Sequence, residues 1–580
     1  MSAVRHGLCN DWDSSSMGPQ SCLAVGSGLV LWQPTWALAL GEKHLYLLEE
    51  HMTVDKYPMA EAVRAAYRAG QEDESLEPLV RVNANGQPVG SIQDGDYVVF
   101  YDIRGEREIE LTSAFVDRDF PHFARPPMTV HFATMIEYHP DLNVQVAFPP
   151  QGRLEDTLFE VVSQAGLRQT KVVESEKAIH VSFFLNGKGQ GAFPGEERVV
   201  IDSPRPASHS EMPPAMKAAD VADAAIEALQ DPGNALVTVN LCNVDVIGHI
   251  ENPDAIRTAV ETVDAQAGRI VDAARAAGAT TVLTADHGTV ERWYYPDGAI
   301  DTGHTDSPVP CILIDPDQAA GVQLRGDGAL TDVAPTVLEL LGLPKPEAMT
   351  GRSLISCPPP ATGREGKQRV LLLILDGWGT GDGGPGDLIA QAHTPVLDSL
   401  ADQYPSTQLQ ASGPRVGMPE GTVGNSESGH LHIGGGRVVA ADRVRINQSL
   451  EDGSWFENEA FLWAMRGAKR DGTRLHLLGI VSFYSSHGSV DHLLALMEMA
   501  GREGVPEVYM HSMLGRRGER PESGAIYIEQ VEREAERLGV GQLATVIGRF
   551  WSLDREEHWD RIEKTYRMLV EGAGEAVGAI

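Results

Sequence analysis

Three aspartates in this chain each follow a short apolar run. Asp245 comes after ALVTVNL (235–241), Asp286 after TTVL (280–283) and Asp376 after VLLLIL (370–375). Carboxylates delivered to one place disfavour each other's ionisation unless cations hold them together. Histidines accompany them. Asp245 and His249 stand four residues apart, so one helical turn lets both reach one ion, while Asp286 and His287 are adjacent and can point at two different ions. His304 lies in the turn-rich TGHTDSPVP. Carboxylate-plus-imidazole sets suit manganese or zinc, and the absence of cysteine from these motifs disfavours a structural zinc site. Ser426 sits in GNSESGH between Gly424 and Gly429, glycines that let backbone approach a phosphate closely. A serine hydroxyl alone is a weak nucleophile, and coordination to a divalent ion favours its alkoxide. The motif is not the GxSxG elbow of Ser-His-Asp hydrolases. Singly, each residue reads as a cap, a turn or a surface charge; together they point to metal-assisted transfer onto a serine.

The apolar runs that precede the aspartates are rich in Val, Leu, Ile or Thr and read as buried parallel strands. Between the first two, Ile256, Val260, Val263, Ala267 and Ile270 recur with helical spacing and Gly278 offers a stop. Strand, helix, strand is the unit of a doubly wound α/β sheet, and such sheets bind ligands at the carboxyl ends of their strands. A Pro/Gly-rich polar stretch at 356–368 reads as a surface linker.

At 580 residues the chain is long enough for two or more domains. Its formal charge of -35 repels nucleic acid and anionic membrane over most of the surface. An anionic substrate then requires a local arginine cluster or bound cations. Five scattered cysteines without a CxxC argue against a disulfide framework and for a reducing, cytoplasmic compartment. The apolar stretch 22–41 is interrupted by Gln33 and Pro34 and is too broken to span a membrane. A monomer acting on a small molecule, with no nucleic-acid or membrane partner, is expected. Residues 1–45 are an unassigned extension.

The strings LLLILDGWG, MPEGTVGNSESGHLHIGGGRVV, NVDVIGH, LTADHG and TGHTDSPVP resemble the metal-site motifs of cofactor-independent (2,3-bisphosphoglycerate-independent) phosphoglycerate mutase, in the alkaline phosphatase superfamily. The resemblance covers nearly the whole chain from about residue 52. It implies an alkaline-phosphatase-like doubly wound domain plus a second α/β transferase domain. It also implies two divalent ions, Mn2+ with Zn2+ or Co2+ as alternatives. Asp376, Ser426, Asp286 and His287 would hold one ion, and Asp245, His249 and His304 the other. Ser426 would carry a phosphoserine intermediate, and Lys177 matches the family's active-site lysine. The implied reaction is the isomerisation of 3-phosphoglycerate to 2-phosphoglycerate, a step of glycolysis.

The motif order departs from the family's. DHG (286–288) precedes LDGWG (375–379), and the segment 330–355, which resembles the family's carboxyl terminus, runs through the linker into its amino terminus. A circular permutation is therefore expected. Residues 152–440 would form a continuous phosphatase-like domain, and 46–151 and 441–580 would assemble the transferase domain. Permutation is tolerated where old ends are close and new ends exposed.

An acidic protein with an acidic substrate needs a basic pocket. Arg104, Arg107, Arg517, Arg549 and Arg555 match the family's substrate arginines, and His487 matches its substrate-site histidine. Arginine forks bind carboxylate and phosphate bidentately. Two departures stand in this half. Gly518 replaces the second aspartate of the family's DGRD, which handles hydroxyl protons, and Ser482, Phe483, Tyr484 and Ser485 replace its SDGG. Two alternatives follow: a mutase-like paralogue that transfers a phosphoryl or phosphonate group on another small carboxylic acid in specialised metabolism, and a metallophosphatase.

Overall fold

The computed structural model describes residues 57–578, apart from 296–297, 317–321, 358–367, 484–486 and 516–521. The extension 1–45, most of the linker and Arg517 and Gly518 lie outside the described residues.

The chain builds two large sheets. One has seven strands, in the order Ser406–Leu409, Val309–Ile314, Thr280–Thr284, Val370–Leu375, Asn234–Leu241, Arg168–Glu174 and Glu196–Ile201. Its last five strands are parallel, and the first two add on antiparallel. Val370–Leu375 and Asn234–Leu241 are buried along their whole length. Continuous burial is what a strand covered on both faces needs, and it explains runs without alternation.

The helix between the first two runs spans Pro253–Ala276. Asn252 caps its first turn by accepting from Ala255 N, and Gly278, at φ +68°, follows its end. Ile256, Val260, Val263, Ala267 and Ile270 all face the core. The two strands it joins are not neighbours, because Val370–Leu375 pairs with both and lies between them. Helical and strand periodicity contain no information about a strand that arrives about a hundred residues later.

The eight-stranded sheet runs Glu575–Val577, Leu79–Arg81, Gln542–Gly548, Val508–Leu514, Leu475–Ile480, Tyr97–Phe100, His131–Ile136 and Gln145–Phe148. Its strands come from both ends of the described chain. Tyr97–Phe100 pairs with Leu475–Ile480 across more than 370 residues of sequence. The hydrophobic cores divide in the same way. One contains buried residues from Leu158 to Ile433, and the other two draw on residues before 150 and after 445.

Leu373 is fully buried at the centre of the seven-stranded sheet. Leu373→Ala removes methylenes from a site flanked by paired strands that cannot collapse. It should destabilise by about 2–5 kcal/mol, read as a lower midpoint in urea unfolding.

Candidate active site

The sheet delivers its polar residues to one edge. Asp376 follows Val370–Leu375, Asp286 lies two residues past Thr280–Thr284, and Lys177 ends a 3-10 turn after Arg168–Glu174. Asp245 arrives on the short helix Asn243–Gly248, which closes the turn that brings it to His249. The strand ends are tied together: Asp376 N donates to Leu241 O at 3.1 Å, Asp245 N to Asp376 O at 3.2 Å and Gly377 N to Asp286 Oδ1 at 3.2 Å. Gly377 has φ +82°, and a Cβ there would lie 2.7 Å from Asp245 N, so this turn admits only glycine without strain.

Ser426 opens a helix, Ser426–Gly435, where the sequence suggested a glycine-rich loop. Asn425 is its N-cap and accepts from Ser428 N at 2.8 Å. Gly429 is required for packing within the protein: a Cβ there would lie 2.4 Å from Asp286 O. The helix therefore sits directly on the Asp286 backbone, with its positive end at Ser426.

Ser426 Oγ lies 2.9 Å from His287 Nε2 and accepts a hydrogen bond from Lys177 Nζ. Lys177 Nζ also lies 2.9 Å from Asp376 Oδ1 and 2.7 Å from Asp245 Oδ2. All of these groups are buried. Burial works against the Lys177 ammonium, but Asp376, Asp245 and Asp286 outweigh it and hold its pKa above the ordinary lysine value.

Three imidazoles point Nε2 at one carboxylate oxygen. Asp245 Oδ1 is 3.1 Å from His304, 3.5 Å from His249 and 3.5 Å from His287. The other ring nitrogen of each faces a backbone carbonyl: His249 Nδ1 is 2.7 Å from Thr302 O, His304 Nδ1 3.0 Å from Gly424 O and His287 Nδ1 3.1 Å from Gly288 O. A carbonyl can only accept, so each Nδ1 carries the proton and each Nε2 is the nitrogen left able to ligate. Neutral Nε2 lone pairs aimed at a carboxylate are mutually repulsive, so this point demands positive charge. Protons can supply it. The Asp245 carboxylate raises the pKa of His249, and at His304 it overcomes burial. A divalent ion can supply it instead.

Asp286 and Asp376 make a second convergence with His287. Asp286 Oδ2 and Asp245 Oδ1 are buried and accept no hydrogen bond of normal geometry among the described residues. Burial works to raise Asp286, but His287 and His430 lower it below the usual carboxylate range. Burial and then the negative charge of Asp286 raise Asp376. Oxygen and nitrogen donors, orphaned carboxylate atoms and carbonyl-anchored imidazoles together fit divalent ions.

Motif reading missed two residues here. Asn240 donates to Asp376 Oδ2 at 2.8 Å and lies 3.0 Å from His430 Nε2, and His430 Nδ1 is 3.1 Å from Asp286 Oδ2. They tie the two aspartates together from behind. The available signals were a polar residue near the end of an apolar strand and a histidine four residues after Ser426, one turn along the same helix.

The expected substrate residues belong to the other sheet. Arg107 and Arg549 line one small cavity of about 80 Å³ with Glu74, Phe550, Asp554 and Arg561. Arg107 also donates to Leu553 O at 3.1 Å. Arg104 and Arg555 share Glu106, at 3.2 and 2.8 Å. His487 is buried, and after burial and Asp102 the charges of Arg549, Arg104 and Arg107 act on its pKa, which is lowered. Four arginines and His487 therefore gather around one region.

Residues 37–345 match the family described as the Metalloenzyme superfamily, and residues 446–579 match the BPG-independent PGAM N-terminus. The 2,3-bisphosphoglycerate-independent phosphoglycerate mutase of Moorella thermoacetica is 44% identical over 298 residues, covering 51% of this chain and 57% of the relative. That of Syntrophotalea carbinolica is 42% identical over the same shares. The chain spans about half the length of the curated relatives it matches. A solved structure of Leishmania mexicana phosphoglycerate mutase at low cobalt concentration is 31% identical over 48% of this chain and 53% of that one, with a TM-score of 0.35.

Added Mn2+ should raise the thermal midpoint of the protein, and Asp286→Asn should remove most of that rise. Gly429→Ala, which drives a methyl group into Asp286 O, should weaken Mn2+ affinity by at least about tenfold. Ligation needs unprotonated Nε2 atoms, so affinity should fall as the pH drops through the raised pKa values of His249 and His304. Calorimetric titration across pH checks both.

Proposed function

The chain belongs to the Metalloenzyme superfamily, and from that premise we propose that it interconverts 3-phosphoglycerate and 2-phosphoglycerate through a phosphoserine at Ser426. The observation that carries this reading is Ser426 Oγ, held between Lys177 Nζ and His287 Nε2 beside three converging carboxylates. The 39–45% identity to named phosphoglycerate mutases over about half the chain supports the substrate class.

Ser426 Oγ gives up its proton and attacks phosphorus, the bond from phosphorus to the glycerate 3-oxygen breaks, the departing oxygen takes up a proton, and phosphoserine forms. Lys177 is held protonated by its aspartates and steadies the negative charge of the transferring group. The amino-terminal end of the Ser426 helix adds a favourable dipole. Glycerate remains bound through its carboxylate to the arginines that gather around His487, and the family resemblance gives Arg517 the same role. It turns and takes the phosphoryl group back on its 2-oxygen, which regenerates Ser426. Exclusion of water during this interval protects phosphoserine from hydrolysis.

Asp376, Ser426, Asp286 and His287 would hold one divalent ion, and Asp245, His249 and His304 a second. When bound, such ions supply Lewis-acid polarisation and favour the serine alkoxide. Mn2+ is the expected metal, with Zn2+ or Co2+ as alternatives. Asn240 and His430 keep Asp376 and Asp286 oriented as ligands.

The same reading includes a circularly permuted order, with the serine and metal residues in 152–440 and the substrate-holding residues in 46–151 and 441–580. Two observations support it. The eight-stranded sheet takes strands from both ends of the described chain, and the match described as an N-terminus falls at 446–579, after the Metalloenzyme match. A cytoplasmic, monomeric enzyme of glycolysis fits this reading. No helix among the described residues is long and apolar enough to cross a membrane.

Purified protein with Mn2+ and without 2,3-bisphosphoglycerate should convert 3-phosphoglycerate to 2-phosphoglycerate. Ser426→Ala should lose at least about a thousandfold in kcat. Release of inorganic phosphate in place of 2-phosphoglycerate would overturn the mutase reading in favour of hydrolysis.

A further inference from the structure

A second polar cluster is buried in the eight-stranded half, apart from Ser426. Asp102, Glu108 and His487 each offer one donor atom within 4.8 Å of the others, and none has more than 2% of its surface exposed. Asp102 lies just past the strand Tyr97–Phe100, and Glu108 immediately precedes the helix Ile109–Val116. His487 follows the adjacent strand Leu475–Ile480, 379 residues from Glu108.

The contacts are ordered. Glu108 Oε1 is 2.6 Å from His487 Nδ1, and Glu108 Oε2 accepts from Arg107 N at 3.0 Å. Asp102 Oδ1 accepts from Ile480 N at 2.8 Å, while Asp102 Oδ2 is buried and accepts no hydrogen bond from a described group. The space is built for this. A Cβ at Gly479 would lie 2.7 Å from Asp102 Oδ1, and one at Gly488 would lie 3.4 Å from it.

Two carboxyl groups buried under an imidazole are costly for a core that needs only packing. Their charge state is constrained by the surroundings. Burial and then Glu108 raise the pKa of Asp102 well above the carboxylate range, and burial pushes Glu108 up to about 8. The pair therefore retains a proton near neutral pH. Tyr101 and Tyr138 close the apolar side, with Tyr138 Oη donating to Asp102 O at 2.8 Å. The charges of Arg549, Arg104 and Arg107 also act on His487. Those three positive charges disfavour a metal ion in this cluster.

We propose that Asp102 and Glu108 are positioning residues that hold His487 by Nδ1, so that its Nε2 exchanges a proton with the substrate hydroxyl. The inference rests on the phosphoryl-transfer reading above. As the ester oxygen leaves phosphorus, it takes the proton that Nε2 gains when the anionic substrate binds and offsets the arginines, and becomes a hydroxyl. In the return step the attacking hydroxyl gives its proton to Nε2 as its oxygen bonds to phosphorus and the bond to Ser426 Oγ breaks. One proton leaves the ring and one returns, so the enzyme is restored. Glu108 Oε1 stays on Nδ1 throughout, and neutral Asp102 leaves Glu108 the member of the pair that ionises when the ring gains its second proton.

The test uses full-length protein with 15N-labelled histidine and the variants Glu108→Gln, Glu108→Asp and Asp102→Asn. Glu108→Gln is nearly isosteric. It should lower the His487 ring titration by at least about one pH unit and lower kcat on phosphoglycerate by about 10²–10⁴. KM should stay within about threefold of wild type, because uniform binding is untouched. Glu108→Asp should recover part of kcat, and Asp102→Asn, which keeps a neutral group beside Glu108, should lose less than Glu108→Gln. Unchanged ring titration in Glu108→Gln overturns the proposal, as does a changed titration with unchanged kcat, which would leave only a structural hydrogen bond. The ring signals are read without turnover. A wild type inactive on phosphoglycerate would overturn the earlier reading, whereas the titration separately decides whether Glu108 governs His487.

Discussion

Three buried carboxylates at one sheet edge need positive charge, and much of the surrounding structure is organised by that requirement. Asp245, Asp286 and Asp376 are taken out of water by strands that are themselves fully covered. Lys177 answers part of the demand with an ammonium that the aspartates keep protonated. The imidazoles answer the rest, either with protons or by turning Nε2 lone pairs toward a divalent ion. Their Nδ1 atoms are already committed to the carbonyls of Thr302, Gly424 and Gly288. Backbone carbonyls thus set the tautomer that ligation needs.

The same constraint shapes the nucleophile's surroundings. Ser426 must approach groups that crowd one another, and it does so on a helix whose Gly429 lies against the Asp286 backbone. Its hydroxyl meets Lys177 and His287 directly. Preorganisation of this kind places the cost of gathering like charges in the folding of the protein instead of in the reaction.

The eight-stranded half solves a different problem. On the proposed reading it holds an anion in a protein whose net charge is -35. Arginines gathered around His487 make the local field positive, and some already share acidic partners: Arg549 with Glu74, and Arg104 and Arg555 with Glu106. Exposed pairs of this sort are weak, so a bidentate ligand can replace them. Asp102 and Glu108 lie buried next to His487 and retain a proton between them.

The sequence alone determined the identity of the chemical groups and every relation that fits inside one turn or one strand. Asp245 with His249, Asp286 with His287, the Pro253–Ala276 helix and the buried character of Val370–Leu375 are local patterns, set by helical and strand geometry. The arginines and His487 were legible only through resemblance of short strings. Tertiary structure decided the rest. It set Val370–Leu375 between two strands that precede it by about a hundred residues, and it brought Asn240 behind Asp376 and His430 against Asp286. It also joined Glu108 to His487 across 379 residues. None of these relations has a period or a spacing to read. They arise because buried polar groups must find partners, and the partner is chosen by how the sheets close, not by distance along the chain.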